Sequence, residues 1–183
     1  MNPMTRNITR IYRAASPEEV AAGLAWYEEA RQLARDLDPE DPSRAAAVIA
    51  ALSPRESWTN NVRLATLAYQ DRDMRLPTLQ VNAHKARAIM AGADPRDILT
   101  GKKTRSFWQN IAGDDSAVTV DRHAFDVAVG KVTDDRTRSI LSRKGQYESI
   151  ADLYRLAAKI LGVTPAQVQA VTWVTWRNLK TAS

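Results

Sequence analysis

The sequence predicts an all-α fold, and three observations carry that prediction. Apolar residues recur at helical spacing in nearly every stretch between residues 16 and 179. Helix-start signals punctuate the chain: Ser16-Pro17-Glu18-Glu19 is a capping box with proline at the first helical position, and Thr164-Pro165 repeats the cap-and-proline pattern far downstream. Only Val118-Thr119-Val120 has β character, and it is too short for a sheet, so it reads as a buried extended link.

Taken in order, the helix capped at Ser16 runs to Leu37, with Val20, Leu24, Tyr27, Leu33 and Leu37 as its apolar positions. Asp38 to Pro42 is a turn, after which Ser43 caps a very apolar helix from Ala45 to Leu52, expected to be buried on all sides and ended by Pro54. The next helix spans Ser57 to Asp71, with Val62, Leu64, Ala65, Leu67 and Ala68 inward. Beyond Pro77, a helix from Asn82 to Met90 stops at Gly92, and Asp94 to Leu99 makes one or two further turns. Gly101 is read as a tight turn into a helix from Lys103 to Ile111, stopped by Gly113-Asp114-Asp115. Asp121 caps a helix to Val129 that Gly130 closes. Helices near Asp135–Leu141, Ser149–Leu161 and Pro165–Leu179 complete a set of eight to ten.

A chain of 183 residues suffices for one compact domain, or for two lobes sharing a cleft. Its 44% hydrophobic content supports a real core and argues against wholesale disorder. Cysteine is absent, which excludes disulfides and thiolate-bound zinc or iron–sulfur clusters and fits a cytoplasmic setting. The opening MNPMTRNITRIYRAAS has no apolar core of signal-peptide length, and no apolar run approaches a membrane span. The net charge of +5 favours an anionic partner, with nucleic acid first. His84 and His123 are the only histidines and do not stand at ligand spacing, so neither a metal nor any other cofactor is expected.

The residue pattern richest in chemistry is Gly101-Lys102-Lys103-Thr104 followed by Val120-Asp121-Arg122-His123. It sets an amine and a carboxylate 18 residues apart, the carboxylate at a helix start. An amine that attacks a sugar carbon and an anion that steadies the resulting cation are the two groups needed to cut a base from DNA. The short helix at Asp94–Leu99, the turn at Gly101 and the helix from Lys103 have a helix–hairpin–helix shape. Amides opening the second helix lack partners and can hold a DNA phosphate, with Lys102 and Arg105 adding charge. The same spacing also serves an ordinary connection between helices, and Asp121 also serves as a plain N-cap.

These stretches resemble the helix–hairpin–helix DNA glycosylase superfamily, of the endonuclease III type. Ala50-Ala51-Leu52-Ser53-Pro54-Arg55-Glu56-Ser57 resembles its Leu-Leu-Ser-Ala-Gln-Ala-Thr helix end, and Lys85-Ala86-Arg87-Ala88-Ile89 its Lys-Ala-x-x-Ile helix. Gly101-Lys102-Lys103-Thr104 resembles Gly-Arg-Lys-Thr, and Val120-Asp121-Arg122-His123 resembles Val-Asp-Thr-His. The likeness covers about residues 45–130. It implies two helical lobes around a cleft, one of about residues 1–44 plus 131–183 and the other of about 45–130. It makes Lys103 the catalytic lysine and Asp121 the catalytic aspartate. DNA contacts fall to Gly101, Lys102, Thr104, Arg105 and Arg55, and a pocket for the flipped base to Trp58, Asn61, His123, Trp173 and Trp176.

The hairpin lacks the first glycine of the family's Leu-Pro-Gly-Val-Gly, reading Asp97-Ile98-Leu99-Thr100-Gly101 here. The stretch from Lys85 to Lys103 is shorter than the family's, and Arg55 stands where many members carry glutamine. These departures mark a compact branch. The stretch Gly101-x-Lys103-Thr104-x-x-Phe107-x-x-Asn110-Ile111-x-Gly113-Asp114, with the Trp173–Arg177 ending, resembles small phage-encoded relatives, some of which are linked to modified thymine and amine transfer onto it.

The implied mechanism starts with flipping the base out of the duplex. Asp121 stabilises the charge left on the sugar as the base departs, and Lys103 attacks the anomeric carbon to form a Schiff base. A lysine amine ordinarily carries a proton at neutral pH, so burial or the nearby Lys102 and Arg105 must free it. The leading expectation is a monomeric DNA glycosylase with lyase activity, cytoplasmic (of a bacterial host if phage-encoded). The rivals are a thymine-hypermodifying transferase that reuses the flipped-base pocket and a non-catalytic DNA-binding module. Trp173, Trp176 and Arg177 share one helical stretch and serve either a stacking pocket or a core face. Arg136, Arg138, Arg143 and Lys144 form either a phosphate contact or a solvated face.

Overall fold

The computed structural model describes residues 2–71 and 75–181, with side chains as far as Leu179. Regular structure among the described residues is entirely helical, without a β-strand. The α-helices are α1 (Pro3–Arg13), α2 (Pro17–Leu37), α3 (Pro42–Leu52), α4 (Trp58–Gln70), α5 (Gln80–Met90), α6 (Pro95–Ile98), α7 (Lys102–Ile111), α8 (Arg122–Val129), α9 (Asp135–Arg138), α10 (Gln146–Leu161) and α11 (Pro165–Thr181), with a 3₁₀ turn at Ser139–Ser142. They fall into two compact units: Met1–Tyr27 with Asp114–Ser183, and Glu28–Gly113. The divisions lie inside α2 and after α7, not near residues 44 and 130. The reason is packing: α8, with Asp121 before it, lies against α1, α10 and α11 of the first unit. Lys103 therefore belongs to the second unit and Asp121 to the first.

Helix α1 has no counterpart in the sequence expectation. Asn2 Oδ1 accepts from the Met4 amide at 2.8 Å, Pro3 occupies the first turn, and Thr5, Ile8, Thr9 and Ile11 form a buried face. Ile8 and Ile11 enter a core with Val118, Val120, Phe125, Val127, Ile150, Tyr154, Val168 and Trp176. The capping box of α2 forms as expected: the Glu19 amide donates to Ser16 Oγ at 3.2 Å and the Ser16 amide to Glu19 Oε2 at 3.0 Å. Its buried stripe is Gly23, Tyr27, Ala30 and Ala34, whereas Leu24 is 42% exposed. Small residues win because neighbouring backbone comes close. A Cβ on Gly23 would stand 2.5 Å from Val171 Cα of α11. The link at residues 118–120 is buried, as read from the sequence, and has no regular structure.

In the second unit α3 is the central helix, packed by α4, α5 and α7, and Ala45 to Leu52 are all buried, as expected. Its cap is Asp41 and not Ser43: Asp41 Oδ1 accepts from the Arg44 amide at 2.9 Å, and Pro42 takes the first position. Asp38 is buried and accepts from the Asp41 amide, from the Arg44 guanidinium at 2.6 Å and from the Tyr69 hydroxyl at 3.3 Å. Burial works against its charge, but these donors win and hold its carboxyl below the ordinary value. Burial, with the Asp38 charge beside it, pushes the Tyr69 phenol up to about 12.

Candidate functional site

Asp121 is fixed by its flanks and by its own carboxylate. Upstream, the Val120 amide donates to the Tyr147 hydroxyl at 2.9 Å, and that hydroxyl donates to Val118 O at 3.1 Å, clamping the link onto α10. Downstream, the buried Tyr154 hydroxyl donates to Ala124 O at 2.9 Å, tying the first turn of α8 to the same helix. Burial, with the Asp121 charge a smaller contributor, pushes the Tyr154 phenol far above its ordinary value. Between these anchors Asp121 Oδ1 accepts from the Ala124 amide at 2.8 Å, and Oδ2 accepts from Trp173 Nε1 at 3.1 Å. The cap role expected from sequence is observed, and the indole adds a second, tertiary hold.

Trp173 organises the surroundings. The His123 ring meets it edge-on with centroids 6.0 Å apart, and Trp26 lies tilted at 6.1 Å. The Arg177 guanidinium stands 4.4 Å from the indole centroid, within cation–π range. Arg122 Nε donates to His123 Nε2 at 3.3 Å. A partly exposed carboxylate thus sits at the edge of an indole whose other neighbours are His123, Trp26 and the Arg177 guanidinium. Of the expected pocket residues, His123 and Trp173 join Asp121. Trp176 does not, because it is buried in the core of the first unit at 8% exposure. Trp26, Tyr147 and Tyr154 belong to the site's support but were not singled out from sequence, since nothing local marks contacts made across the fold.

The α6–α7 turn has a different character. Gly101 is the N-cap of α7, without a side-chain cap, so the helix opens with amides that its own turn cannot satisfy. Its φ of −74° is open to any residue, so the glycine is not required by a sharp turn there. Lys102 and Lys103 are both exposed in the first turn. Thr104 Oγ1 donates to Gly101 O at 2.9 Å, which commits its hydroxyl to the turn. Arg105 Nε donates to Leu99 O at 3.2 Å and its Nη2 to Arg96 O, so this arginine braces the connection it was expected to charge.

In the same unit, the loop between α3 and α4 holds Arg55 at φ 68°, the sole non-glycine in the left-handed region among the described residues. That conformation costs energy and persists where the surroundings impose it. Here Asn82 Nδ2 donates to Pro54 O at 3.1 Å, while Glu56 accepts from Thr78 Oγ1 at 2.8 Å and Asn60 Nδ2 at 2.5 Å. Arg55 itself is exposed. Trp58 opens α4 half-buried, and Asn61 is 2% exposed inside it with Oδ1 lacking a hydrogen-bond partner among the described residues.

Among the described residues no group of three His, Asp or Glu side chains is placed to hold a metal ion, and no helix is long and apolar enough to cross a membrane. No curated protein and no solved structure matches the chain. Residues 1–180 match a protein family of unknown function, DUF7178, and the chain belongs to that family.

Proposed function

We propose that this protein is a DNA glycosylase that flips out and excises a damaged or modified base, with Asp121 stabilising the sugar cation and Lys103 attacking it. The observation that carries the reading is the Asp121 carboxylate, held through both oxygens beside Trp173 and His123. A carboxylate fixed in this way is oriented before any cation develops, which is how preorganised electrostatics lowers a barrier. The Trp173 indole and His123 ring next to it are aromatic groups against which a flipped base can pack. The resemblance of residues 45–130 to helix–hairpin–helix glycosylases supports the same roles, with α6, the turn at Leu99–Gly101 and α7 as the hairpin. The α7 amides and Lys102 contact backbone phosphate. Arg55, displayed from a braced loop, contacts the distorted duplex.

The exposure of Lys103 favours a second reading within the same class, in which Asp121 activates water and no covalent amine is used. The test offers the protein DNAs bearing ordinary, damaged and hypermodified bases, then analyses the products by mass spectrometry. Free base supports excision. A changed nucleoside with no free base points to a base-modifying transferase and contradicts the proposal. Excision that survives Lys103→Gln but not Asp121→Asn selects the water-using form.

A further inference from the structure

We propose that the exposed face of α1 is a second phosphate-contacting surface, on which Arg6, Arg10 and Arg13 track one strand of a nucleic-acid backbone. All three arginines are exposed. At 3.6 residues per turn they fall within an arc of about 60°, and at 1.5 Å per residue they span about 10 Å along the helix. DNA carries one phosphate per 3.4 Å of axis on each strand, so the row matches about three phosphates.

The row joins three cations on one helix face with no acid among them. Residues 1–17 contain no acidic side chain. Among the described residues, none of the three guanidinium groups makes an ion pair or side-chain hydrogen bond. Four arginines elsewhere are committed to acids: Arg35 to Glu28, Arg44 to Asp38, Arg138 to Asp126 and Asp135, Arg155 to Asp152. The nearest acids in sequence are engaged too, Glu18 by Ser16 and Glu19 by Ser16 and Asn178.

The scaffold beneath the row is rigid. Ile8 and Ile11 are buried at 0% and 2% exposure, Asn7 Nδ2 donates to Ala128 O at 3.0 Å, and α1 packs on α8, α10 and α11. The packed helix fixes where the three side chains start, and their contact with phosphates gains from counterion release.

This inference rests on DNA as the partner, but not on Lys103 or Asp121 as catalysts. The test measures binding of a short mixed-sequence fluorescent duplex by anisotropy between about 50 and 200 mM salt. Wild type is compared with the triple variants R6Q/R10Q/R13Q and R6K/R10K/R13K, whose melting temperatures should match wild type because the positions are exposed. The glutamine variant should flatten the slope of log K against log salt by roughly two to three. The lysine variant should keep it, since the contribution is electrostatic. An unchanged slope in the glutamine variant overturns the proposal, as does failure of wild type to bind the duplex at all. Arginine-dependent binding to phosphatidylserine vesicles without an effect on DNA also overturns it, and makes the face a membrane contact. If Lys102→Ala flattens the slope while the glutamine variant does not, the α1 surface fails and the hairpin reading stands. If the slope depends on α1 while Lys103→Gln and Asp121→Asn leave turnover intact, the catalytic reading fails and this surface stands.

Discussion

Asp121 and Lys103 are both at helix starts, yet their settings are opposites. The carboxylate is gripped by a backbone amide and an indole, on a link clamped by Tyr147 and next to a turn clamped by Tyr154. The amine is exposed on a turn whose polar neighbours, Thr104 and Arg105, are occupied in holding the turn together. The carboxylate is held in place by the fold itself, and the amine, among the described residues, is held by nothing but its own helix start. Under the proposed function the anion would be the preorganised group and the amine would lose its water only when covered by substrate.

The largest expected effect follows from that contrast. Asp121→Asn should keep the α8 cap, because an amide oxygen still accepts from Ala124 N, and so should leave the melting temperature nearly unchanged. It should cut single-turnover base release about 10²- to 10³-fold. If release persists while the protein stays folded, the held carboxylate is a cap and no more.

Asp38 shows that the second unit also has a gripped carboxylate, here tying the turn before α3 to α4. Asp38→Asn should cost about 2 kcal/mol in denaturant unfolding, in line with loss of charged hydrogen bonds. Its folded pKa is depressed, so its stabilisation is present above the unfolded value of about 3.9 and lost as pH falls through the folded one. The variant should therefore lose less stability than wild type on acidification below about pH 4. Equal acid sensitivity in both proteins would mean that Asp38 does not brace this unit.

Trp173→Phe keeps an aromatic face but removes the N–H that holds Asp121 Oδ2. Turnover should fall about tenfold with DNA affinity unchanged, the size of one charged hydrogen bond. In the Asp121→Asn background the same change should add little, because the two groups act as a unit. Full additivity would separate the indole from the carboxylate's function. The smallest effect is on Lys102→Ala, which should reduce the salt slope by about 0.9 without altering sequence preference. A change of preference with the slope intact would remove the phosphate role from this turn.

Much of the scaffold was legible because helix signals are local. The capping box at Ser16, the proline at 165 and the Asp121 cap all stand where the sequence puts them. Helix α1 was missed because its buried face mixes Thr5 and Thr9 with only two isoleucines, which dilutes the apolar period. The small-residue stripe of α2 was hidden for a related reason: Gly23 and Ala30 are chosen by close backbone approach, not by hydrophobicity. At the site, Asp121, His123 and Trp173 were named from sequence. The bond joining indole to carboxylate links positions 52 residues apart, and no local pattern encodes it. Trp176 shares a helical turn with Trp173, but a small rotation around the helix carries its side chain into the core.

In the proposed mechanism Lys103 supplies the nucleophile to a sugar whose charge Asp121 steadies. Borohydride trapping tests it most directly, using a DNA substrate from which wild type releases base. Wild type should be captured covalently on that DNA and Asp121→Asn only weakly. Lys103→Gln should not be captured at all, although it still binds the DNA through the α7 amides. Trapping of Lys103→Gln at the wild-type level, or base release by it at the wild-type rate, would contradict the claim and leave Asp121 to work with water.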